Sequence, residues 1–364
     1  MKDWRWFERW QALARREWNE LTTIQASDRR WPMPFCAALA IGLPLLAGAA
    51  GGRIDYGLVA SLGGLCFLYL PETPLAHRLR WLLAVALAFC ACFTLGLLSQ
   101  FLPGWQVPLL TALAILVSML CRYYRLAPPG SLFFIMAAAI AAYSPLELPE
   151  LPLQVGLLAL GCLQAGVIAF FYSRQALRRQ AAQPVRPLPP LSFDFVIFDS
   201  IVIGACVGLA LALAQLLQLD RPYWVPVSCL AVIQGASLRA VWTRQLHRIA
   251  GTGIGLLVAG GLLALPLDQW RVALLMMALA FIIETLVVRH YGLATIFITP
   301  LTILLADAPQ LGLLPADALL QARLFDTVLG CLVGLAGGLA LHSQGFRDLL
   351  GTPLRRLLPE RFRQ

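Results

Sequence analysis

Charge is what this chain has least of. Acidic and basic residues together make up 13% of its 364 residues, against 59% hydrophobic ones, a balance foreign to soluble globular domains. Between Trp81 and Cys121 no charged residue occurs at all, and only the Pro103–Gly104 pair breaks the apolar run. A bilayer core takes roughly 20 apolar residues per helix, so this tract reads as two spans joined by a tight turn. Lysine is almost missing: Lys2 is the single one, and every other basic residue is Arg. The arginines cluster beside the ends of apolar tracts, where topology and anionic headgroups explain them. The formal charge of +9 therefore points to membrane lipid and not to nucleic acid.

Catalytic and metal signatures are missing too. There is no nucleotide-binding glycine loop, which argues against an ATP-driven pump, and no H-E-x-x-H or G-x-S-x-G sequence. Only four histidines occur, at 77, 247, 290 and 342. The nine cysteines, at 36, 66, 90, 92, 121, 162, 206, 229 and 331, form no Cys-x-x-Cys or Cys/His ligand spacing. They read as small apolar packing residues. The expectation is a protein that is not an enzyme and has no cofactor or metal. Residues 1–34 form a charged, Trp-rich opening without the short apolar run and small-residue site of a removable leader.

What is present is a series of apolar segments, and the expected fold class is all-α, a polytopic membrane protein of about twelve transmembrane helices. Residues 1–33 place Trp4, Phe7, Trp10 or Gln11, Leu13 or Ala14, and Trp18 near helical spacing between arginines. That pattern suits an interfacial amphipathic helix or a cytoplasmic helix packed on the bundle. A first six-span unit (34–172) holds segments at about 34–52, 56–70, 81–102, 105–121, 129–143 and 151–172. A Pro/Arg linker (173–192) should be extended, because its prolines forbid a long helix. A second unit (193–341) holds segments at about 195–218, 223–237, 247–265, 270–288, 291–306 and 324–341, and a basic tail (342–364) follows.

Charge supports this segmentation. With both termini in the cytoplasm, inside regions hold 24 of the 28 Lys and Arg residues, leaving only Arg53, Arg221, Arg271 and Arg323 outside. A wrong span count would invert every later loop and destroy that asymmetry. The halves also match at a near-constant offset. Tyr56 aligns with Tyr223, Arg80 with Arg248, Trp105-x-Val107-x-Leu109-Leu110 with Trp270-x-Val272-x-Leu274-Leu275, and Gly161-Cys162-Leu163 with Gly330-Cys331-Leu332. Six spans per copy is an even number, so the two repeats should run parallel, related about the membrane normal.

Candidate site residues follow from this repeat. The second segment of each half is short and broken by Gly57, Gly63 and Gly64 in one case and by Pro226 and Gly235 in the other. Such segments in matching places point to a transport site, so Tyr56, Tyr223 and Gln234 are candidate substrate contacts. Arg248 opens R-x-x-G-T-x-x-G with Thr252, and Arg323 opens R-x-x-D-T-x-x-G with Thr327. Arg80 holds the equivalent place in the first half. At helical spacing the Gly/Thr face permits close approach while the guanidinium can take a carboxylate bidentately. The bland readings are a snorkelling Arg248 and a local Arg323–Asp326 pair. Glu284 is the only acid well inside an apolar span. It is a candidate proton carrier together with His290, the rival being a structural pair with Arg289 or His290.

The tract VVRHYGLATIFITPLTILL (287–305), the two Arg motifs and YWVPVSCLAVIQ (223–234) resemble the fusaric acid resistance (FUSC) family, grouped with aromatic acid exporters. The resemblance is sharpest from about 220 to 335. The first half, through DYGLVASLGGLCFLYLP and PPGSLFFIMAAAIAAYSP, carries fewer of the family's fixed residues. It implies inner-membrane efflux of aromatic or other organic acid anions, and distant kinship with plant aluminium-activated malate transporters. Many family members carry a large cytoplasmic domain in place of the linker or tail seen here, and Arg80 lacks the G-T-x-x-G that follows Arg248, so the substrate does not carry over. Some members work with a periplasmic adaptor protein; an adaptor or a second copy of the chain stays open as a partner beside the organic anion. A scaffold or assembly factor of an envelope complex is the competing reading.

Overall fold

The computed structural model describes residues 15, 19, 21–27, 29–102, 104–185, 187–188, 192–307 and 316–357. The expected amphipathic positions from Trp4 to Ala14, and Trp18, lie outside them. Among the described residues from Pro32 onward, thirteen α-helices follow one another: α1 (Pro32–Ala50), α2 (Ile54–Gly64), α3 (Leu75–Ser99), α4 (Gln106–Tyr123), α5 (Leu132–Ala141), α6 (Leu151–Leu177), α7 (Asp199–Leu216), α8 (Trp224–Ile233), α9 (Leu238–Leu263), α10 (Gln269–Leu286), α11 (Tyr291–Asp307), α12 (Ala316–His342) and α13 (Gln344–Leu357). No strand occurs among the described residues.

Eight of these helices (α1, α3, α4, α6, α7, α9, α10 and α12) are long and apolar enough to cross a membrane. The chain is a multi-pass membrane protein. The other four apolar helices, α2, α5, α8 and α11, are shorter, between 10 and 17 residues. They are the second and fifth helices of each consecutive six. At 1.5 Å per residue the ten residues of α8 rise only about 15 Å. The shortness expected at 56–70 and 223–237 is present, and the fifth segments, 129–143 and 291–306, share it.

Several helices run beyond the apolar segments that announce them, mostly at their basic ends. α3 begins at Leu75, α6 continues to Leu177, α9 begins at Leu238 and α12 at Ala316. The physical reason is that charge, unlike proline, does not stop a helix. The α9 start is instead set by Ser237, whose side chain accepts from the Ala240 N–H at 3.1 Å. In consequence Arg248 and Arg323 sit not in loops or at helix ends but inside α9 and α12, ten and seven residues from their starts. The linker leaves α6 and has no helix over 181–185. It is tied to the α2–α3 connection by the Gln183 N–H donating to the Glu72 carbonyl at 2.9 Å. The expected polar tail instead folds as α13. Its Arg347 and Arg355 bond Asp199 and Asp194, both at 2.6 Å, and Asp199 also receives Arg122 from α4 at 2.9 Å.

Packing is backbone against backbone at small residues, the contact that serves helix association where lipid offers no hydrophobic drive. α6 lies on α2, and α12 lies on α8. A Cβ on Gly161 would run into the Ala60 carbonyl, and one on Gly330 into the Val225 carbonyl. α1 also packs on α10, and α4 on α7. Large apolar side chains such as Leu83, Leu87, Leu160, Leu163 and Leu257 point outward, while α8 is buried over its whole length.

Valine at Gly161 should therefore lower stability by about 1–3 kcal/mol through forced separation of α2 and α6. Valine at Gly156, on the same helix with nothing near its Cβ position, should be neutral by comparison. Thermal unfolding of both variants in detergent checks this; equal melting of the two would contradict the close-contact account.

Candidate functional site

α8 is the shaft on which the site is built. Its residues Trp224 and Ser228 are one turn apart and share a face. Arg248 reaches this face from α9: its Nη2 donates to Ser228 Oγ at 3.3 Å, and its Nη1 donates to the Tyr291 hydroxyl at 3.2 Å. Arg323 reaches it from α12, its guanidinium lying 4.2 Å above the centre of the Trp224 ring, within the range of a cation–π contact. Arg248 is 5% exposed and Arg323 4%. Neither has an ion-pair partner among the described residues, and the two cations are within electrostatic reach of each other. Arg248 Nε and Arg323 Nε and Nη1 are buried with no hydrogen-bond partner among the described residues.

Glycine lets these helices close up. A Cβ on Gly251 would stand 2.7 Å from the Gly292 carbonyl, and one on Gly255 would stand 2.5 Å from the Ile296 carbonyl, so α9 meets α11 directly. The threonine of the second motif serves its own helix. Thr327 donates to the Arg323 carbonyl at 2.9 Å, a common use of a hydroxyl inside a helix. Thr252 is buried one turn beyond Arg248.

The structure thus brings together Arg248 and Arg323 on α8, with Thr252 and Thr327 buried one turn farther along their own helices and Tyr223 adjoining as the neighbour of Trp224, their rings 5.3 Å apart. It does not bring the remaining candidates there. Arg80 is exposed on α3, its Nε donating to the Ala76 carbonyl at 3.3 Å. The buried arginine of that region is Arg78, bonded to the Thr73 carbonyl and to Ser173 Oγ. Tyr56 lies under Arg53 at 3.7 Å, and Arg53 in turn pairs with Asp55. Gln234 caps α8 and donates to Ser131 Oγ at 2.9 Å, at the start of α5. Sequence reading passed over Trp224, Ser228 and Tyr291 as site residues. The i, i+4 spacing within the short segment was the available signal for the first two.

Glu284 and His290 belong to a second assembly. Glu284 pairs with neither Arg289 nor His290 but with Arg29, at 3.1 Å. His247 and His290, with ring centres 4.6 Å apart, both bond the Leu21 carbonyl, at 3.0 and 2.6 Å. His290 Nδ1 accepts from the Leu293 N–H, so its Nε2 carries the proton that goes to Leu21. The Gln25 N–H donates to the Arg289 carbonyl at 2.8 Å. The described residues between Leu21 and Arg29 therefore form a strap that bonds α9 at His247, the end of α10 at Glu284, and Arg289 and His290 just before Tyr291. The rival local Arg323–Asp326 ion pair is likewise not formed: Asp326 Oδ2 is buried without a hydrogen-bond partner among the described residues.

Comparison with known proteins agrees on the region that forms the site. Residues 209–337 match the family described as fusaric acid resistance protein-like. The chain is 29% identical over 173 residues to an uncharacterized membrane protein of Bacillus subtilis (strain 168), YvaC, covering 48% of this chain and 25% of that protein. It is 28% identical over 148 residues to an uncharacterized protein of Escherichia coli (strain K12), YhfK, covering 41% and 21%. The matched stretches span about a quarter or less of those relatives. No solved structure matches the chain.

Replacing Glu284 with Gln should free the strap. Hydrogen exchange at residues 21–29 should then speed up by about tenfold or more, since a charge-assisted hydrogen bond contributes roughly 1.5–3 kcal/mol. Unchanged exchange there would show that the Arg29 pair does not hold it.

Proposed function

We propose that this chain is a bacterial inner-membrane transporter that exports aromatic or other organic acid anions, with the Arg248–Arg323 pair on α8 as the anion-binding centre. One observation carries the reading: two guanidiniums are buried on one short helix with N–H groups unsatisfied and no acid bonded to them. A lipid-embedded arginine costs about 3 kcal/mol on insertion scales and is a functional feature by default. A carboxylate is the ligand that answers both the charge and the fork of donors, and Tyr223 and Trp224 offer an aromatic wall beside it.

The transporter consists of two related six-helix halves crossing the membrane twelve times, with both termini cytoplasmic. Three features support this. The short helices recur at the second and fifth places, Gly161 and Gly330 seat equivalent helix pairs, and α1 on α10 matches α7 on α4. In this reading the anion path runs along the axis between the halves, with Gln234 and Tyr56 at its margins and Arg80 drawing anions at the surface. α8 is wholly buried, so the conformation is closed and passage requires α8 to part from α9 and α12. Glu284 and His290 act at the strap, where any proton they exchange would bear on its closure. A periplasmic adaptor or a second copy of the chain would complete the export route.

Arg248→Ala and Arg323→Ala should each lower efflux of carboxylates from proteoliposomes by about tenfold or more, the scale of a hydrogen bond to a charged group. The Lys variants, which keep charge but lose the fork, should fall between. Unchanged transport in both Ala variants at equal insertion would reject the anion site. A parent protein that neither binds nor moves any carboxylate would favour the scaffold reading.

A further inference from the structure

The anion-binding reading leaves one buried acid without a task. Asp326 lies on α12 three residues beyond Arg323 and is 2% exposed. At that spacing the two side chains share a helix face, yet the Arg323 guanidinium rests on Trp224. The Asp326 Oδ2 and two Arg323 nitrogens all stay unbonded among the described residues. The charged groups facing Asp326 are Arg323 on its own helix and Asp220 and Arg221 from the α7–α8 connection. Arg221 has interactions of its own. Arg323 in turn faces Arg248 and Tyr223.

An arginine held one turn from an acid, but not closed onto it, has two alternative resting places. With Asp326 protonated, the acid is neutral and Arg323 stays over the indole, its Nε and Nη1 open to a ligand. With Asp326 ionised, the carboxylate and a ligand carboxylate compete for the same guanidinium, and the nearer, tethered one is favoured. A buried charge-assisted pair of that kind is strong enough to displace a ring contact.

We infer that Asp326 is a protonation switch that decides whether Arg323 is available to an anion. The inference rests on the reading of Arg248 and Arg323 as the anion centre and adds to it a proton-exchanging residue distinct from Glu284 and His290. The sign follows from the competition. Gain of a proton by Asp326 accompanies anion binding, and loss of that proton accompanies release, so anion and proton occupy the site together.

The test has two readouts on the purified full chain in lipid nanodiscs. The first needs no ligand. Tryptophan emission is titrated between about pH 5 and pH 9, the span in which a buried acid departs from its solution behaviour, in the parent and in Trp224→Phe. Their difference isolates Trp224 from the other nine of the ten tryptophans. That difference should change with pH in the parent and stay flat in an Asp326→Asn background. The second readout is benzoate binding. Parent affinity should fall as pH rises, by up to about tenfold per pH unit for one linked proton. Asp326→Asn should bind at all pH values with the affinity of the parent at low pH, and Asp326→Glu should restore the pH dependence.

An Asp326→Asn variant that binds benzoate with the parent's pH profile would overturn the switch alone. A Trp224 signal that titrates and vanishes in Asp326→Asn, with no carboxylate bound by the parent at any pH, would overturn the anion reading and this inference with it.

Discussion

Everything specific about this molecule depends on how a low-dielectric interior treats a guanidinium. Water-exposed arginines at the ends of apolar helices are held at little cost. Arg248 and Arg323 instead stand ten and seven residues inside α9 and α12. Their side chains have no path to an interface, because α8, α11 and the aromatic pair Tyr223–Trp224 close around them. Elsewhere in the fold Asp199 takes both Arg122 and Arg347, and Glu284 takes Arg29, while the buried Arg78 is held by the Thr73 carbonyl and Ser173 Oγ without an acid. What sets α8 apart is that two guanidiniums meet on one helix face while the acid nearest to them, Asp326, stays unbonded.

The short helices and the glycines are two sides of one solution. A helix of ten residues cannot reach from one headgroup layer to the other, so α8 is stable only when longer neighbours surround it completely. Gly330 on α12, and Gly251 and Gly255 on α9 against α11, bring those neighbours to backbone contact. The same contacts fix the angle from which each arginine arrives. Close packing and site geometry therefore share the same residues, and a change at either glycine motif would alter both.

The helical character, the segment order and the shared helix face of each Arg motif were legible in the sequence, because exclusion of charge and helical spacing leave direct marks on residue order. Helix ends were not. Charged residues at 75–80 and 238–248 look like loop yet continue a helix, since a backbone hydrogen bond is indifferent to a charge that finds water or a partner. Long-range partners were equally invisible. Nothing near Glu284 names Arg29, and nothing near His290 names the Leu21 carbonyl, because each contact joins residues more than 200 positions apart. The first-half candidate misled for a related reason: Arg80 matches Arg248 by offset, but it is Arg78, two residues earlier, that faces inward.

The shortness of α8 also bears on voltage. Should water reach both of its ends, the insulating layer there would be about 15 Å thick, roughly half the hydrocarbon depth of an ordinary bilayer. The electric field would be concentrated over that stretch, so the turn between Trp224 and Ser228 would carry a large share of the membrane potential. Each elementary charge crossing the whole field is worth about 2.3 kcal/mol per 100 mV. A monovalent anion moving alone would feel most of that within a few ångströms of the two arginines, whereas one accompanied by the Asp326 proton moves no net charge and gives the potential no hold on it.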